Sequence, residues 1–181
     1  MVCQQQHFDI DVWELIALAN RHPRVNILQP GAGVGGHCIA VDPWFIVHAA
    51  KEADIDAKMI RSAREVNTYK TEWAIEKIKN EALKFESEHG RKAKVACMGL
   101  AFKPNIDDLR ESPALYITKR LMTDGLDVLA VEPNILEHTE FEVVNYKDAI
   151  AQADVVTFLV AHKEFKDLEI ETELDFCGVT N

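Results

Sequence analysis

The spacing of apolar residues along the first half of the chain predicts helices. Apolar positions recur with the helical period in three segments, which span about residues 11–20, 42–50 and 57–88. Asp9 or Asp11 can cap the first helix, and Pro43 suits the first turn of the second. Gly90 is a typical stop for the third helix, which has a long polar face. We therefore predict a helical central region over residues 1–90.

From Lys94 onward the pattern changes, and short apolar runs alternate with helical segments. The runs predict strands at about 94–98, 127–131, 142–146, 155–160 and 174–176. Helical spacing predicts helices between them, over about 112–123 and 147–152. This alternation is typical of a parallel sheet covered by helices. The predicted fold class is therefore α/β, with a Rossmann-like parallel sheet over residues 91–181 that follows the helical central region.

Composition narrows the classes of partner. The 181 residues are 48% hydrophobic and 28% charged, which suits a globular chain with a sizeable core. The formal net charge of −10 argues against binding to nucleic acid or to an anionic membrane surface, since either needs a basic patch. No apolar run is long enough to span a membrane, and the first residues do not resemble a signal peptide. We expect a cytoplasmic protein with no nucleic-acid and no membrane partner.

The cysteines are scattered along the chain, at Cys3, Cys38, Cys97 and Cys177. Without CxxC spacing they suit reduced thiols better than a disulfide or zinc framework, and we expect no bound metal. Cys38 stands out because it follows four glycines and precedes Asp42 by four residues. Glycines let main-chain amides approach a bound group closely, and a thiolate is a strong nucleophile. The alternative is that Cys38 packs as a small hydrophobic residue.

The loop after the first predicted strand carries two cations, Lys103 and Arg110. In a parallel sheet, ligands sit beyond the carboxyl ends of the strands. These cations, together with the helix start that Ser112 can cap, are able to hold a phosphate. In the alternative interpretation they form a solvated salt-bridge network with the carboxylates of the same loop, Asp107, Asp108 and Glu111.

Residues 31–36 formally match GxGxxG, the dinucleotide-binding fingerprint. That fingerprint needs a strand before it and a helix that opens within it. Here the segment follows a predicted helix and Pro30, and it leads directly into His37. The predicted strand at 94–98 is followed by a single glycine, Gly99. The sequence therefore shows no complete nicotinamide site.

Two long motifs resemble one known family. Residues 33–45 read GVGGHCIAVDPWF, and residues 99–113 read GLAFKPNIDDLRESP. In this order the motifs resemble those of the nucleotide-sugar 6-dehydrogenases, and the resemblance extends over nearly the whole chain from Asp11. The first motif is most similar to the branch that oxidises UDP-N-acetylmannosamine, since UDP-glucose enzymes usually show a tyrosine before the cysteine. UDP-N-acetylglucosamine and UDP-glucose are the alternative substrates.

The resemblance implies an NAD-dependent, four-electron oxidation of the C6 alcohol of a UDP-sugar to a carboxylate, without a metal. Cys38 would attack the aldehyde stage to give a thiohemiacetal, which becomes a thioester that water cleaves. Asp42 would orient water or assist proton transfer. A role for Asp42 as the cap of the helix that starts at Pro43 is compatible with this chemistry.

The same resemblance implies the binding residues. Phe102 and Lys103 would contact the UDP-sugar, and Arg110 would reach the pyrophosphate of NAD. Further substrate contacts are expected from the glycine loop and from the basic segment before it, which often reaches the site of a partner subunit: Gly33, Gly35, Gly36, Arg21, His22 and Arg24. A surface role is the alternative for the two arginines of that segment. Members of the family pair, so we expect a homodimer.

Parts of the family pattern have no counterpart in this sequence. The amino-terminal NAD-binding Rossmann domain is absent, as are the catalytic lysine and asparagine of the central helix. Cys177 stands where the family often has a basic residue. We therefore expect the carboxyl-terminal portion of such an enzyme, inactive in isolation. A non-catalytic UDP-sugar-binding module and a dimerisation module are the alternatives.

Overall fold

Three helices form the first part of the computed structural model, which describes residues 10–180. Helix α1 spans Val12–Ala19, α2 spans Asp42–Glu52 and α3 spans Lys58–His89. Asp11 caps α1, because its Oδ1 accepts hydrogen bonds from the backbone N–H groups of Trp13 (2.8 Å) and Glu14 (3.0 Å). The other candidate cap, Asp9, lies outside the described residues. The three predicted helices are thus confirmed, with α2 two residues longer than expected.

Helix α3 connects the helical part of the chain to the sheet. It ends at Gly90, whose φ of +68° is the left-handed conformation that terminates helices and that glycine adopts without a Cβ clash. One face of the helix is polar and exposed. The opposite face carries a buried stripe at helical spacing, formed by Thr71, Ala74, Ile75, Ile78 and Ala82. Because this stripe packs against the sheet, α3 fixes the position of the preceding loops relative to the strands.

The second part of the chain is a parallel sheet. Its strands are β1 (Lys94–Met98), β2 (Asp127–Val131) and β3 (Val155–Phe158), in the order β2-β1-β3. All pairs are parallel, and in the register Ala96 lies opposite Leu129 on one side and Val156 on the other. The connecting helices are α4 (Pro113–Thr123), α5 (Tyr146–Gln152) and a 3-10 helix at Lys163–Phe165. This architecture confirms the predicted α/β class.

The predicted strands at 142–146 and 174–176 are wrong as strands, although both segments reach the sheet. Val143 makes one isolated parallel bridge with Ala130, and Asp175 makes one with Phe158. After the first bridge, Asn145 caps α5 by accepting a hydrogen bond from the N–H of Lys147, which turns the chain into a helix. After the second, the Asp175 carboxylate accepts hydrogen bonds from the N–H groups of Cys177, Gly178 and Thr180, and the chain bends away from an extended strand.

Both faces of β1 are buried, which explains its uninterrupted apolar sequence. Val95 and Cys97 point into a core formed with α3 and α4, where Ile78 and Ile117 are fully buried. Ala96 and Met98 point to the opposite face, together with Phe158 and Phe165. The sheet therefore separates two cores, and the loops that follow its strands meet at one edge of the sheet.

Candidate active site

The two sequence motifs pack directly against each other. We call residues 31–36 the glycine loop and residues 99–112 the β1–α4 loop. A Cβ added to Gly35 would overlap the carbonyl oxygen of Glu111 and lie 2.7 Å from Pro113 Cδ, and one added to Gly36 would lie 3.0 Å from the Phe102 ring. A Cβ on Gly33 would lie 2.8 Å from Thr71 Oγ1. The glycines therefore allow a close approach of protein to protein at these positions.

Helix α3 holds the glycine loop from the other side. The Asn67 side chain accepts a hydrogen bond from the N–H of Val34 (2.7 Å) and donates to its carbonyl oxygen (3.4 Å). Thr71 Oγ1 donates to the carbonyl oxygen of Ala32 (3.2 Å). Sequence reasoning missed both residues, since they lie more than 30 positions away on a helix whose pattern marks only a buried stripe. Together they fix the backbone that leads to Cys38.

Cys38 lies in an exposed turn that leads into α2. Its carbonyl oxygen accepts hydrogen bonds from the N–H groups of Val41 (3.0 Å) and Asp42 (2.8 Å), so the turn places the cysteine just before the helix. Exposure excludes the packed-hydrophobe alternative. The N-cap of α2 is Val41, without a side-chain hydrogen bond, and Asp42 is an exposed first-turn residue. The predicted capping role of Asp42 is therefore wrong, and its carboxylate is available at the surface.

Arg110 is oriented by Asp108 at the edge of this site. The guanidinium Nη2 donates to Asp108 Oδ2 (2.6 Å) and Nε donates to Oδ1 (3.0 Å). These hydrogen bonds lower the pKa of Asp108 to about 2, with a smaller contribution from nearby His37. The pKa of Arg110 is raised, first by Asp108 and to a lesser degree by the charge of Cys38. Cys38 of the first motif and Arg110 of the second are therefore close enough for their charges to interact.

Phe102 and Lys103 lie between the glycine loop and solvent. The Phe102 ring is half-buried beneath Gly36, and the ammonium of Lys103 lies 5.5 Å from the centre of that ring. Within residues 10–180 Lys103 has no carboxylate at ion-pair distance, whereas Arg110 has one. The predicted salt-bridge network thus forms at Arg110 and not at Lys103, which leaves an exposed cation for an anionic ligand.

The basic segment before the glycine loop forms its own exposed turn. Asn20 closes it, because its side chain accepts from the N–H of Ile27 (2.7 Å) and donates to the same residue's carbonyl oxygen (2.9 Å). Arg21, His22 and Arg24 all point from this turn toward solvent. Among the described residues, no hydrogen bond or ion pair connects them to the Cys38–Arg110 region. The structure therefore does not bring them into the site of their own chain.

A buried polar pair behind the β1–α4 loop was not predicted. Glu132 directly follows β2 and is 2% exposed, and His162 follows β3 and is fully buried. Their side chains are joined by a hydrogen bond of 3.0 Å between His162 Nε2 and Glu132 Oε2. The one signal in the sequence is that each residue comes just after a predicted strand, where side chains from different strands converge.

A pocket of about 600 Å³ lies beside the site, between α3 and α4. The start of α2 and the glycine loop close one end of it, and its lining includes Trp44, Arg64, Glu72, Glu111 and Tyr116.

Nowhere in the described part of the chain do three His, Cys, Asp or Glu side chains come together as a metal site would require. None of the helices between residues 10 and 180 combines the length and apolar character needed to cross a membrane.

The other described cysteines differ from Cys38 in their surroundings. Burial raises the pKa of the Cys97 thiol to about 12, against a smaller opposing effect of a hydrogen bond with Thr118. Burial, followed by the neighbouring Asp175 carboxylate, also raises the pKa of Cys177. Neither thiol is suited to act as a nucleophile near neutral pH. Cys38 is the exposed thiol among the three.

Comparison with known proteins places both motifs in one family. Residues 1–69 match the central domain of the UDP-glucose/GDP-mannose dehydrogenase family, and residues 96–176 match the UDP binding domain of the same family. The first match contains the glycine loop with Cys38, and the second contains the β1–α4 loop. The contact between the two loops is therefore a contact between the two matched domains.

Individual relatives agree with the family match. The chain is 51% identical to a UDP-N-acetyl-D-mannosamine dehydrogenase of Campylobacter jejuni, over 93% of this chain and 42% of the relative. It is 49% identical to an NDP-N-acetyl-D-galactosaminuronic acid dehydrogenase of Ralstonia solanacearum, over 94% of this chain and 39% of the relative. The chain thus spans about two fifths of the length of these relatives.

A solved structure shows the same architecture. The UDP-D-ManNAc dehydrogenase of Pyrococcus horikoshii superposes with a TM-score of 0.74 at 33% identity, and the alignment covers 90% of this chain and 37% of that one. The glycine loop, Cys38, the β1–α4 loop and all of the parallel sheet except the first two residues of β1 fall within the segments that the two domain matches cover. This chain therefore belongs to the UDP-glucose/GDP-mannose dehydrogenase family.

Proposed function

We propose that this chain binds a UDP-sugar and supplies the thiol nucleophile for oxidation of the sugar's C6 alcohol to a carboxylate. The observation that carries the proposal is the packing of the glycine loop on the β1–α4 loop, through Gly35, Gly36 and Phe102. Cys38 lies two residues after Gly36, and Lys103 directly follows Phe102, so the packing supports a site to which the exposed thiol and the exposed cation both contribute. A nucleophile and a phosphate-binding cation at one loop junction are what a nucleotide-sugar oxidation requires.

The chemistry of Cys38 follows from the second oxidation. Once the C6 alcohol has lost a hydride and a proton, the thiolate Sγ adds to the aldehyde carbon and the new oxyanion takes up a proton to give a thiohemiacetal. Loss of a second hydride and a proton from this adduct gives a thioester on Sγ. Water then adds to the thioester carbon, the C–S bond breaks, and the carboxylate leaves with the thiol restored. Asp42, exposed at the start of α2, orients this water or takes its proton.

NAD, when bound, accepts the hydride in each oxidation. Arg110 fits its pyrophosphate, because the guanidinium is exposed and Asp108 fixes its orientation. The glycine loop does not fit a dinucleotide turn, since a Cβ on Gly33, Gly35 or Gly36 would meet protein atoms and residues 10–30, which precede the loop, contain no strand. The described residues therefore contribute one contact to this cofactor.

UDP-N-acetylmannosamine is the proposed substrate. The relatives support it, since one at 51% identity is named a dehydrogenase of this sugar nucleotide, and the solved Pyrococcus structure is that of a UDP-D-ManNAc dehydrogenase. The Ralstonia relative at 49% identity is named for a different N-acetylated sugar, so an acetamido group is common to the named substrates. UDP-N-acetylglucosamine and UDP-glucose are the competing substrates that a binding measurement has to include.

We further propose that the chain acts as a homodimer in the cytoplasm. Helix α2 has no buried residue and exposes Trp44, Phe45 and Ile46 side by side, which is typical of a surface that a partner covers. The exposed turn at 21–24 is then available to the partner's site. The described cysteines are free thiols, as expected in a reducing compartment. Measurement of the mass in solution tests the dimer directly.

Calorimetric titration tests the binding part of the proposal. We expect the chain to bind UDP-N-acetylmannosamine and UDP, and the Lys103→Ala variant to lose about tenfold or more in affinity because a charged phosphate contact is removed. Lys84→Ala, an exposed lysine near the carboxyl end of α3, is the matched control and should bind as the parent does. Equal affinities for UDP in the parent and Lys103→Ala would contradict the assignment of Lys103.

Protection of Cys38 tests the catalytic part. UDP-N-acetylmannosamine at saturation should slow alkylation of the Cys38 thiol by iodoacetamide, because the sugar C6 lies over the thiol in the productive complex. UDP without the sugar should bind yet protect the thiol less. Binding of the UDP-sugar without any protection of Cys38 would favour the non-catalytic binding module instead.

A further inference from the structure

The buried pair Glu132–His162 holds the start of the β1–α4 loop. Glu132 Oε2 accepts hydrogen bonds from the N–H groups of Leu100 (2.8 Å) and Ala101 (2.9 Å), and from His162 Nε2 (3.0 Å). Its Oε1 accepts from the backbone and side chain of Asn134, both at 3.0 Å. Five donors therefore surround one carboxylate that is 2% exposed. Two of those donors belong to the backbone immediately before Phe102.

The same histidine holds the loop three residues after Phe102. His162 Nδ1 accepts a hydrogen bond from the N–H of Asn105 (3.0 Å), and Asn105 Oδ1 in turn accepts from the N–H of Lys163 (2.9 Å). Because a backbone N–H only donates, Nδ1 carries no proton and the ring is the neutral Nε2–H tautomer that donates to Glu132. Asn105 adopts φ +62°, which this reciprocal pair of hydrogen bonds supports.

The segment Phe102–Lys103–Pro104 is thus fixed at both of its ends by one buried network. Phe102 itself adds a backbone hydrogen bond from its N–H to the carbonyl oxygen of Asp108 (3.1 Å). A buried polar pair is a costly way to stabilise a fold, since apolar residues of similar volume often do as well or better. What a fully satisfied network gives beyond stability is a single defined shape for the backbone that it binds.

We propose that Glu132 and His162 are positioning residues that set the conformation of Phe102 and Lys103 for the UDP moiety. The inference rests on the proposed function, in which these two residues contact the nucleotide. His162 acts at Asn105 through Nδ1 and at Glu132 through Nε2. Neither positioning residue touches the ligand, because both are buried behind the loop. Their contribution to binding is therefore exerted entirely through the loop backbone.

Two substitutions of His162 separate positioning from packing. An asparagine places an oxygen near the position of Nδ1 and keeps the acceptor for the Asn105 N–H, whereas a glutamine reaches the Nε2 position and keeps only the donor to Glu132. If His162 only fills space, the larger His162→Gln should bind UDP better than His162→Asn. If it positions the loop, the order is reversed. We expect UDP affinity to fall about tenfold in His162→Gln and to be largely retained in His162→Asn.

Amide hydrogen exchange at Asn105 provides a readout that needs no ligand. We expect its N–H to exchange faster in His162→Gln than in the parent and in His162→Asn. Ile78→Val, a mild core substitution in α3, controls for a general loss of stability and should change neither this exchange nor UDP affinity. In the Lys103→Ala background, His162→Gln should cost less affinity than it does in the parent, since Phe102 is then the one proposed contact left for it to position.

The outcomes distinguish the inference from the function on which it rests. Equal exchange at Asn105 in the parent and both His162 variants, or a UDP affinity that follows side-chain volume, would overturn the positioning role. A full tenfold loss in the Lys103→Ala background would also overturn it, because the histidine would then act independently of Lys103. A parent chain that binds no UDP would refute the proposed function, while the exchange measurement would still decide whether His162 anchors Asn105.

Discussion

The ring of Phe102 lies against the α-carbon of Gly36, so closely that a Cβ on that carbon would come within 3.0 Å of it. Gly36 also adopts φ +88°, a conformation that residues with a side chain rarely take. Cys38, the proposed nucleophile, lies two residues after Gly36, and Lys103, the proposed phosphate contact, directly follows Phe102. The short glycine segment thus sets the distance between the two parts of the proposed chemistry.

Gly35→Ala should therefore destabilise the chain, by about 1–3 kcal/mol, because its methyl group would overlap the carbonyl oxygen of Glu111 and the ring of Pro113. Urea denaturation of the parent and the variant measures the difference. Gly31→Ala is the matched control, since its Cβ would meet nothing closer than the Gly33 carbonyl oxygen at 3.9 Å. Equal destabilisation by both substitutions would show that the loops do not pack as described.

Cys38 should be the first of the three described thiols to react. The Cys97 thiol, with its pKa of about 12, has roughly a thousandth of the thiolate fraction of an ordinary cysteine at pH 8. Brief treatment of the native chain with iodoacetamide, followed by peptide mass spectrometry, should label the peptide of Cys38 well before those of Cys97 and Cys177. Comparable labelling of Cys97 and Cys38 would contradict the burial of the former.

The sequence predicts the helices of this fold better than its short strands. Helix α3 and its stop at Gly90 follow from apolar spacing and one glycine, and the start of α4 follows from Ser112 and Pro113, since such signals are local. The segments at 142–146 and 174–176 look like strands by composition. Side chains of Asn145 and Asp175 end the pairing after a single bridge, and apolar spacing does not show this competition.

The sequence likewise predicts some features of the candidate site and not others. Cys38, Lys103 and Arg110 can be selected from the sequence, because reactive and charged residues in glycine-containing loops are recognisable without a structure. Their convergence depends on contacts between distant segments, and so does the network that supports them. Glu132 and His162 are 30 residues apart, and their pairing emerges only from the parallel order of β1, β2 and β3.

The Glu132 carboxylate makes stability depend on pH. Burial alone would raise its pKa, but hydrogen bonds from His162 and Leu100 outweigh burial and lower the pKa to about 2. Because the folded pKa lies below the ordinary value of 4.5, the ionised form stabilises the fold above about pH 4.5, and this stabilisation is lost as the pH falls toward 2.

Glu132→Gln should consequently be less stable than the parent at pH 7, with a difference in the free energy of unfolding that narrows between pH 5 and pH 3. Thermal or urea unfolding across this range measures the difference. Glu137→Gln, which changes an exposed carboxylate in the loop after β2, should show almost no difference at either pH. A gap between Glu132→Gln and the parent that stays constant down to pH 3 would contradict the lowered pKa.

Asn67 should control the mobility of the segment that carries Cys38. Its side chain is the clamp that joins α3 to the N–H and carbonyl oxygen of Val34, so Asn67→Ala leaves that N–H without its acceptor. We expect a loss of about 1 kcal/mol in stability and faster amide exchange at Val34. Asn67→Asp keeps the acceptor at 2.7 Å and should preserve most of the protection.

Asn80→Ala, an exposed position further along α3, is the control for the loss of an asparagine from this helix and should leave Val34 unaffected. The clamp also bears on chemistry, because a looser glycine loop holds the thiol less closely over the sugar. Protection of Cys38 by UDP-N-acetylmannosamine should accordingly weaken in Asn67→Ala more than the affinity for UDP does. Parallel losses of both quantities would mean that Asn67 supports the fold as a whole and has no specific effect on the position of the cysteine.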